Sequence, residues 1–244
     1  MAEWRVAQER TREGLSRTTT AVFYFCYLPN MSRSPSLCGV ILAAGESSRM
    51  GRDKALLPWP ASSVPGFSGK TFLSAAIQSL NAYNDMVIVV VGKNETTLTP
   101  VIYATGASLV RNSAPEQGQF SSLQVGLREV LNRGRDAAMV TLVDRPPVNP
   151  ATLESLLSAF AAAADHTWAI VPEYQGKHGH PILIRREMIE VFLRAPGTAS
   201  ARDLQHQYQT HLEYASVDDP FVTWNVDTPQ DYESLLRQSP PQPK

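Results

Sequence analysis

The chain has 244 residues, of which 43% are hydrophobic and 18% are charged. This length and composition are enough for one large globular domain with a sizeable core. The 22 Lys and Arg residues and 23 Asp and Glu residues give a formal net charge of −1, with no basic run of five or more residues. Duplex nucleic acid and anionic membranes are therefore excluded as expected partners.

The cysteines and the apolar segments indicate the cellular compartment of the protein. Neither Cys26 nor Cys38 belongs to a C-x-x-C pair or has a histidine at metal-ligand spacing. This usage favours a reducing compartment, hence the cytoplasm, and argues against structural zinc. The apolar run at 21–28 is far shorter than the roughly 20 residues that span a bilayer. We expect 1–36 to be an extension outside the fold and 37–238 to be a single domain.

Apolar runs of strand length alternate with helical patterns along this domain. The runs are nearly all apolar, as in strands covered on both faces, and lie at 39–44, 86–91, 137–143 and 168–172. Segments with an apolar residue at every third or fourth position lie between them, at 71–83, 121–133 and 151–164. The alternation predicts βαβ units, an α/β fold and a mostly parallel central sheet.

Several boundaries carry helix-start or loop chemistry. Asn149 and Pro150 fit an N-cap and a first helical position, and residues 228–231 fit a capping box with proline at the first helical position. Residues 58–69 are rich in Pro, Gly and Ser, which predicts a mobile loop. We expect residues 239–244 to form a disordered tail.

The loop after the first predicted strand is the first candidate site, because ligands of such sheets bind beyond the carboxyl ends of the strands. It is not a Walker A motif, since Arg52 follows Gly51, and it is not G-x-G-x-x-G, since Gly45 and Gly51 are six positions apart. Backbone N–H groups, hydroxyls and two cations remain. They predict a polyphosphate site made by Gly45, Ser47, Ser48, Arg49, Gly51 and Lys54.

Two aspartates follow apolar segments. Asp144 ends the predicted strand at 137–143, and Asp227 stands just before the predicted helix start at Pro229. One or two carboxylates together with phosphate oxygens and water are what Mg²⁺ prefers. Either aspartate could instead be a turn or helix-capping residue, and Asp231 is interpreted as a cap.

Residues 42–54, LAAGESSRMGRDK, resemble the signature L-A-A-G-x-S-x-R-M-G-x-x-K of the molybdopterin nucleotidyltransferases, above all the molybdenum cofactor cytidylyltransferases. The resemblance implies a Rossmann-like three-layer α/β/α fold, similar to the nucleotide-diphospho-sugar transferases. It also implies Mg²⁺-dependent transfer of CMP from CTP to the phosphate of molybdopterin, with release of pyrophosphate. Related guanylyltransferases usually have Gly at the position of Ala44, which favours CTP.

The family pattern implies roles for individual residues. Arg49, Lys54 and Asp144 would be catalytic, and Asp144 and Asp227 would hold the metal, since VDRPPV and DTPQD are similar to family segments. The segments GHP and GTASAR, the second only loosely similar, would bind the acceptor through His180 and Arg202. The nucleotide would be bound by the opening loop and by a G-x-x-x-S-L-x-x-G segment, hence by Leu42, Ala43, Ala44, Gly45, Ser47, Ser48, Gly51, Gly118, Ser121 and Ser122.

Two departures from the pattern leave the acceptor open. Arg145 stands where the family usually has an uncharged residue, and the 58–69 loop is longer than usual; both lie where the acceptor would bind. One alternative is transfer to a sugar phosphate or methylerythritol phosphate. Another is a non-catalytic chaperone that passes the cofactor to a molybdenum hydroxylase, which would bind cofactor without releasing pyrophosphate. A dinucleotide-dependent oxidoreductase is disfavoured by the missing glycine fingerprint.

Overall fold

The apolar runs of the sequence form strands because each is covered on both faces by helices. A computed structural model describes residues 36–60 and 69–238. Residues 1–35 of the expected N-terminal extension, residues 61–68 of the 58–69 loop and the 239–244 tail lie outside the described residues. The predicted runs and helical patterns appear as strands and helices whose ends agree with the prediction within two residues.

The strands and helices follow one another in the order expected for βαβ units. The strands are β1 Leu37–Leu42, β2 Pro58–Trp59, β3 Lys70–Thr71, β4 Met86–Val91, β5 Ser108–Arg111, β6 Ala137–Leu142, β7 Ala169–Tyr174, β8 Lys177–His178, β9 Ile182–Arg185 and β10 Leu212–Ser216. The α-helices are α1 Phe72–Asn81, α2 Glu95–Ala104, α3 Gln119–Asn132, α4 Pro150–Ala162, α5 Arg186–Arg194, α6 Ala201–Gln207 and α7 Pro229–Gln238.

Within the described residues, eight strands form one sheet in the order β10-β7-β9-β6-β1-β4-β5, with β8 paired to β7. β1 lies between β6 and β4 and is parallel to both. β9 is antiparallel to its neighbours β6 and β7. The predicted α/β fold with a mostly parallel sheet is therefore confirmed. β2 and β3 form a separate antiparallel pair.

Helices cover both faces of the sheet. On one face Ile77 of α1, Leu98 of α2 and Leu153 of α4 pack in a single core cluster. On the other face Leu127 of α3 and Phe192 of α5 belong to a second cluster. Side chains of a strand point alternately to the two faces, and each strand of the sheet centre supplies both clusters. The three-layer arrangement expected from the family resemblance is confirmed.

Helix α3 lies unusually close to the sheet. A Cβ atom at Gly126 would stand 2.9 Å from Val40 Cγ1 and 2.9 Å from Val90 Cγ2. Only glycine permits this approach without a shift of the helix. The first turn of α3 is thereby held beside the carboxyl end of β1.

Both predicted helix starts are found, and they differ in their side-chain capping. At α7 the capping box is confirmed, because Thr228 Oγ1 accepts from Asp231 N at 3.2 Å and Asp231 Oδ2 accepts from Thr228 N at 2.8 Å. At α4 Asn149 is the N-cap residue and Pro150 the first helical residue, as predicted, although the Asn149 side chain makes no capping hydrogen bond. The buried carboxylate of Asp219 accepts from the Asn149 N–H instead, at 2.8 Å.

None of the helices in the described ranges is long and apolar enough to cross a membrane.

Candidate active site

The loop at residues 45–54 is tightly wound at the carboxyl end of β1. Ser47 and Gly51 adopt left-handed backbone conformations, with φ of 51° and 71°. Ser47 O accepts from Met50 N at 3.0 Å, and Ser47 Oγ accepts from Lys54 N at 3.1 Å. Ser47 therefore holds the loop in a closed turn and fixes the backbone N–H of Lys54. A left-handed serine is uncommon and is held by these bonds.

A side-chain clamp attaches this loop to the sheet. Asn94, three residues after the end of β4, donates from Nδ2 to Asp53 Oδ2 at 2.8 Å and to Ala43 O at 2.9 Å. Its Oδ1 accepts from Gly92 N at 3.1 Å. Sequence analysis missed Asn94 and Asp53, because no local pattern distinguishes them from ordinary loop residues. The clamp makes the loop an extension of the rigid strands.

The predicted cations and carboxylates come together at one point. Lys54 Nζ lies 2.5 Å from Asp227 Oδ1 and 3.5 Å from Asp144 Oδ2. Arg49 Nη2 lies 3.2 Å from the same Asp227 oxygen. The Lys54 side chain is only 10% exposed, so these interactions are less screened by salt than those of surface ion pairs. One ammonium group therefore bridges the two carboxylates that we expected to hold a metal.

The segment carrying Asp227 is fixed to the end of β6 by backbone and side-chain bonds. Val226 N donates to Asp144 O at 2.9 Å. Arg145 Nη1 donates to Val222 O at 3.2 Å and to Trp224 O at 3.3 Å. Burial lowers the pKa of Arg145, and the charges of Asp144 and Asp227 act against that shift. Arg145, expected near the acceptor, binds this segment and lines neither of the two large cavities described below.

The carboxylate chemistry fits a divalent cation that is shared with a phosphate. Asp144 Oδ1 is buried and has no hydrogen-bond partner among the described residues. A buried carboxylate oxygen without a partner is costly unless a cation or water satisfies it. Residues 36–60 and 69–238 contain no group of three or more His, Cys, Asp or Glu side chains able to hold a metal. Asp144 and Asp227 would therefore need ligand oxygens from substrate or water, as Mg²⁺ sites commonly use.

A cavity of about 300 Å³ opens between the wound loop and the first turn of α3. Its lining includes many of the predicted nucleotide residues together with Lys54 and Asp144. Ala43 is buried behind it, and Ser48, Gly51 and Ser121 lie outside its lining. The residues around this nucleotide cavity are Leu42, Ala44, Gly45, Ser47, Lys54, Pro115, Gly118, Gln119, Ser122, Leu142, Val143 and Asp144.

A second cavity of about 370 Å³ adjoins the first and shares Leu42, Gly118, Gln119 and Leu142 with it. Most of its other lining residues are apolar, and they come from the sheet, α3, α5 and the start of α6. We call it the acceptor-side cavity. Two predicted acceptor contacts, His180 and the exposed Arg202, line it. The remaining residues are Gln117, Phe120, Leu123, Val140, Ile182, Ile184, Phe192, Ala199, Ser200, Ala201 and Gln205.

His180 is electrically neutral in this environment. Burial, together with the smaller effect of the nearby Arg145 charge, lowers its pKa to about 3. Its Nδ1 atom is buried and unpartnered among the residues that the structure describes. A neutral imidazole has one donor and one acceptor nitrogen, and it supplies no positive charge to a phosphate.

Residues 39–213 match the protein-family model described as MobA-like NTP transferase domain. The chain belongs to this family. The predicted family and enzyme class, a nucleotidyltransferase, are thereby confirmed. The matched region runs from β1 into β10 and contains the wound loop, both large cavities and Asp144, whereas Asp227 lies beyond its end.

Relatives of this MobA-like nucleotidyltransferase carry several names. The purine catabolism protein PucB of Bacillus subtilis (strain 168) is 28% identical, over 84% of this chain and 98% of that protein. The molybdenum cofactor guanylyltransferase of Xanthomonas euvesicatoria pv. vesicatoria (strain 85-10) is 29% identical, over 83% and 95%. The molybdenum cofactor cytidylyltransferase of Escherichia coli (strain K12) is 25% identical, over 79% and 92%.

Solved structures agree with the fold. The crystal structure of Rv0371c from Mycobacterium tuberculosis H37Rv has a TM-score of 0.67 and 28% identity, covering 84% of this chain and 100% of that one. A complex of Rv0371c with manganese has a TM-score of 0.64 and 26% identity over the same shares.

Proposed function

We propose that this nucleotidyltransferase transfers CMP from CTP to the phosphate of molybdopterin, with Mg²⁺, and releases pyrophosphate. The observation that carries the proposal is the position of Lys54, which reaches Asp144 and Asp227 from the wound loop. A polyphosphate held by this loop would lie against both carboxylates. A cation there would shield the negative charge of the phosphates.

Residues of the nucleotide cavity, together with Arg49 and Asp227 next to Lys54, have separate roles in binding and catalysis. Gly45 and Ser47 offer backbone and hydroxyl donors to phosphate oxygens, and Arg49 and Lys54 neutralise charge that develops on the leaving pyrophosphate. Asp144 and Asp227 would hold the metal. The attacking phosphate of the acceptor is already ionised at neutral pH, so the reaction needs no general base. Alignment and charge neutralisation are then the main sources of rate enhancement.

The acceptor-side cavity suits a substrate with a flat ring system whose faces can pack against apolar walls. It adjoins the nucleotide cavity, as a second substrate must, and its walls are mostly apolar. The fused rings of molybdopterin fit this chemistry better than a sugar phosphate or methylerythritol phosphate does. Arg202 supplies a cation at the same cavity for the acceptor phosphate, and His180 supplies a neutral hydrogen-bonding group.

The preference for CTP is proposed from Ala44. This residue lines the nucleotide cavity, and its methyl group occupies space that the glycine usual in guanylyltransferases would leave open. The names of the relatives include both a guanylyltransferase and a cytidylyltransferase. We further propose that the reaction is cytoplasmic and that a molybdenum enzyme receives the product.

One assay tests the proposed function. The purified protein is incubated with molybdopterin, Mg²⁺ and one of CTP, GTP, ATP or UTP, and pyrophosphate is measured. We expect the fastest release with CTP; fastest release with GTP would contradict the argument from Ala44. Release only with a sugar phosphate or methylerythritol phosphate would change the acceptor. Tight molybdopterin binding without any release would favour the chaperone.

A further inference from the structure

A buried asparagine links the loop before α3 to the serines of its first turn. Asn112 directly follows β5, and only 3% of it is exposed. Its Nδ2 donates to Ser121 Oγ and to Ser122 Oγ, each at 2.9 Å. The sequence analysis expected both serines to contact the nucleotide and did not identify Asn112.

The orientation of the Asn112 amide is fixed by a backbone group. Ala114 N donates to Asn112 Oδ1 at 3.0 Å. A backbone N–H can only donate, so the amide oxygen must face Ala114 and the amide nitrogen must face the two serines. Both N–H groups of Asn112 are then used, one for each serine hydroxyl.

The two serine hydroxyls therefore differ in where their own protons go. Each Oγ atom accepts from Asn112 and keeps one proton to donate. Ser121 donates this proton to Gly118 O at 2.8 Å, inside the loop. For Ser122 the described residues contain no hydrogen bond in which its hydroxyl donates, and Ser122 alone of the two lines the nucleotide cavity. The proton of Ser122 is available to a ligand in that cavity.

We propose that Asn112 is a positioning residue that makes Ser122 a hydrogen-bond donor to an acceptor atom of the bound nucleotide. Ser121 is a structural member of the same cluster and does not contact the nucleotide. The inference rests on the nucleotide site of the proposed function, but it depends neither on the base preferred nor on the acceptor substrate.

The test reverses the hydrogen-bonding direction at Asn112. Asn112→Asp keeps the shape but presents an accepting oxygen to the serines, so the Ser122 hydroxyl turns its proton away from the cavity. Dissociation constants are measured with Mg²⁺ for whichever of CTP, GTP, ATP and UTP the wild-type protein binds most tightly. Loss of one hydrogen bond weakens binding by about tenfold. We expect this loss for Ser122→Ala.

A double-variant cycle separates the hydroxyl effect from repulsion by the new carboxylate. In the wild-type background Asn112→Asp carries both effects, whereas in the Ser122→Ala background only the repulsion remains. We expect the affinity loss caused by Asn112→Asp to be about tenfold larger in the wild-type background. Equal losses in the two backgrounds would overturn the inference.

Ser121→Ala is the matched comparison. It removes the equivalent hydrogen bond from Asn112, but to a serine that does not line the cavity. We expect it to lower the melting temperature while nucleotide affinity stays within about twofold. If Asn112→Asp does not fold, equal affinity losses for Ser121→Ala and Ser122→Ala would overturn the inference. If the protein releases pyrophosphate but the affinity losses caused by Asn112→Asp and Ser122→Ala are independent of each other, only the inference is refuted. If these two affinity losses are strongly coupled but the protein prefers GTP or releases no pyrophosphate, only the proposed function is refuted.

Discussion

Lys54 is the residue at which the charges of the site meet. It is anchored through its backbone N–H to Ser47 Oγ, and its ammonium group reaches Asp227 and Asp144. Its side chain is largely buried, so the protein has taken it out of bulk water to place it there. Such a preorganised cation stabilises developing negative charge at no cost of rearrangement during the reaction.

Replacement of Lys54 should therefore remove catalysis. We expect Lys54→Ala or Asp144→Ala to lower the rate of pyrophosphate release by about 10²-fold or more. Lys93→Ala is the control. The ammonium group of Lys93 lies 2.6 Å from Glu46 Oε1 in an exposed ion pair that includes neither Asp144 nor Asp227. Near wild-type release from the Lys54 or Asp144 variant would remove that residue from the catalytic group.

Lys54 and a divalent cation should compete for the same carboxylates when no nucleotide is present. We expect Lys54→Met to bind Mn²⁺ about fivefold or more tightly than the wild-type protein, since even an ion pair of modest strength accounts for that factor. Free Mn²⁺ is measured by electron paramagnetic resonance. Weaker Mn²⁺ binding by the variant would show that Lys54 assists the cation instead.

His180 should make stability depend on pH. The folded protein keeps the imidazole neutral down to about pH 3, whereas the unfolded chain protonates it below its ordinary pKa of 6.5. The unfolded state then binds more protons, so stability falls as pH decreases from about 6.5 toward 3. This slope is the change in the free energy of unfolding per pH unit. Between pH 4 and 6 it should be smaller in His180→Gln than in the wild-type protein, by about 1.4 kcal/mol per pH unit. The exposed His166→Gln variant is the control, and an unchanged slope in His180→Gln would contradict the shifted pKa.

Sequence patterns find charged residues more readily than the polar residues that position them. Arg49, Lys54, Asp144 and Asp227 stand in recognisable segments, and the structure brings all four together. Asn94, Asn112 and Asp219 were not found. Asn94 and Asp219 bond to groups more than 40 positions away, and nothing local distinguishes any of the three from ordinary loop residues.

At the scale of elements, burial on both faces made the central strands predictable. β1, β4, β6 and β7 are almost wholly apolar, whereas β10 is a half-exposed edge strand with no comparable run. α2 has few buried residues, mainly Leu98 and Ile102, and contains Pro100, which hides its helical pattern. α5 did have a usable signal in the spacing of Met188, Ile189 and Phe192. The antiparallel direction of β9 depends on pairing across the sheet, which no local pattern shows.

The segment before Asp227 is packed against the loop before β9 through a glycine. A Cβ at Gly179 would lie 2.1 Å from Val222 O, a backbone atom that cannot turn away. We expect Gly179→Ala to lower the free energy of unfolding by about 2 kcal/mol or more, because overpacking must displace the chain. Gly197→Ala, whose Cβ would meet only Gln117 Oε1 at 3.8 Å, should change it by less than about 0.5 kcal/mol. Chemical denaturation measures both, and equal stability of the two variants would contradict the close contact.

At the scale of the molecule, the carboxyl edge of the sheet brings together the wound loop, Asp144, Asp227 and the two large cavities. The wound loop after β1 and the aspartate after β6 come together because these strands are parallel neighbours. The two adjoining cavities lie along the same edge, between the loop and α3 and between α3 and the α5–α6 region. A nucleotide and an acceptor can therefore meet without any large movement of the described residues.

The central claim is that one polyphosphate contacts both the cations of the wound loop and the metal held by the two aspartates. A crystal structure with Mn²⁺ and an α,β-methylene analogue of CTP tests it most directly. The account predicts a single triphosphate touching Arg49 and Lys54, with the anomalous signal of Mn²⁺ at Asp144 and Asp227. A triphosphate bound away from the wound loop, or a metal bound away from both aspartates, would contradict it.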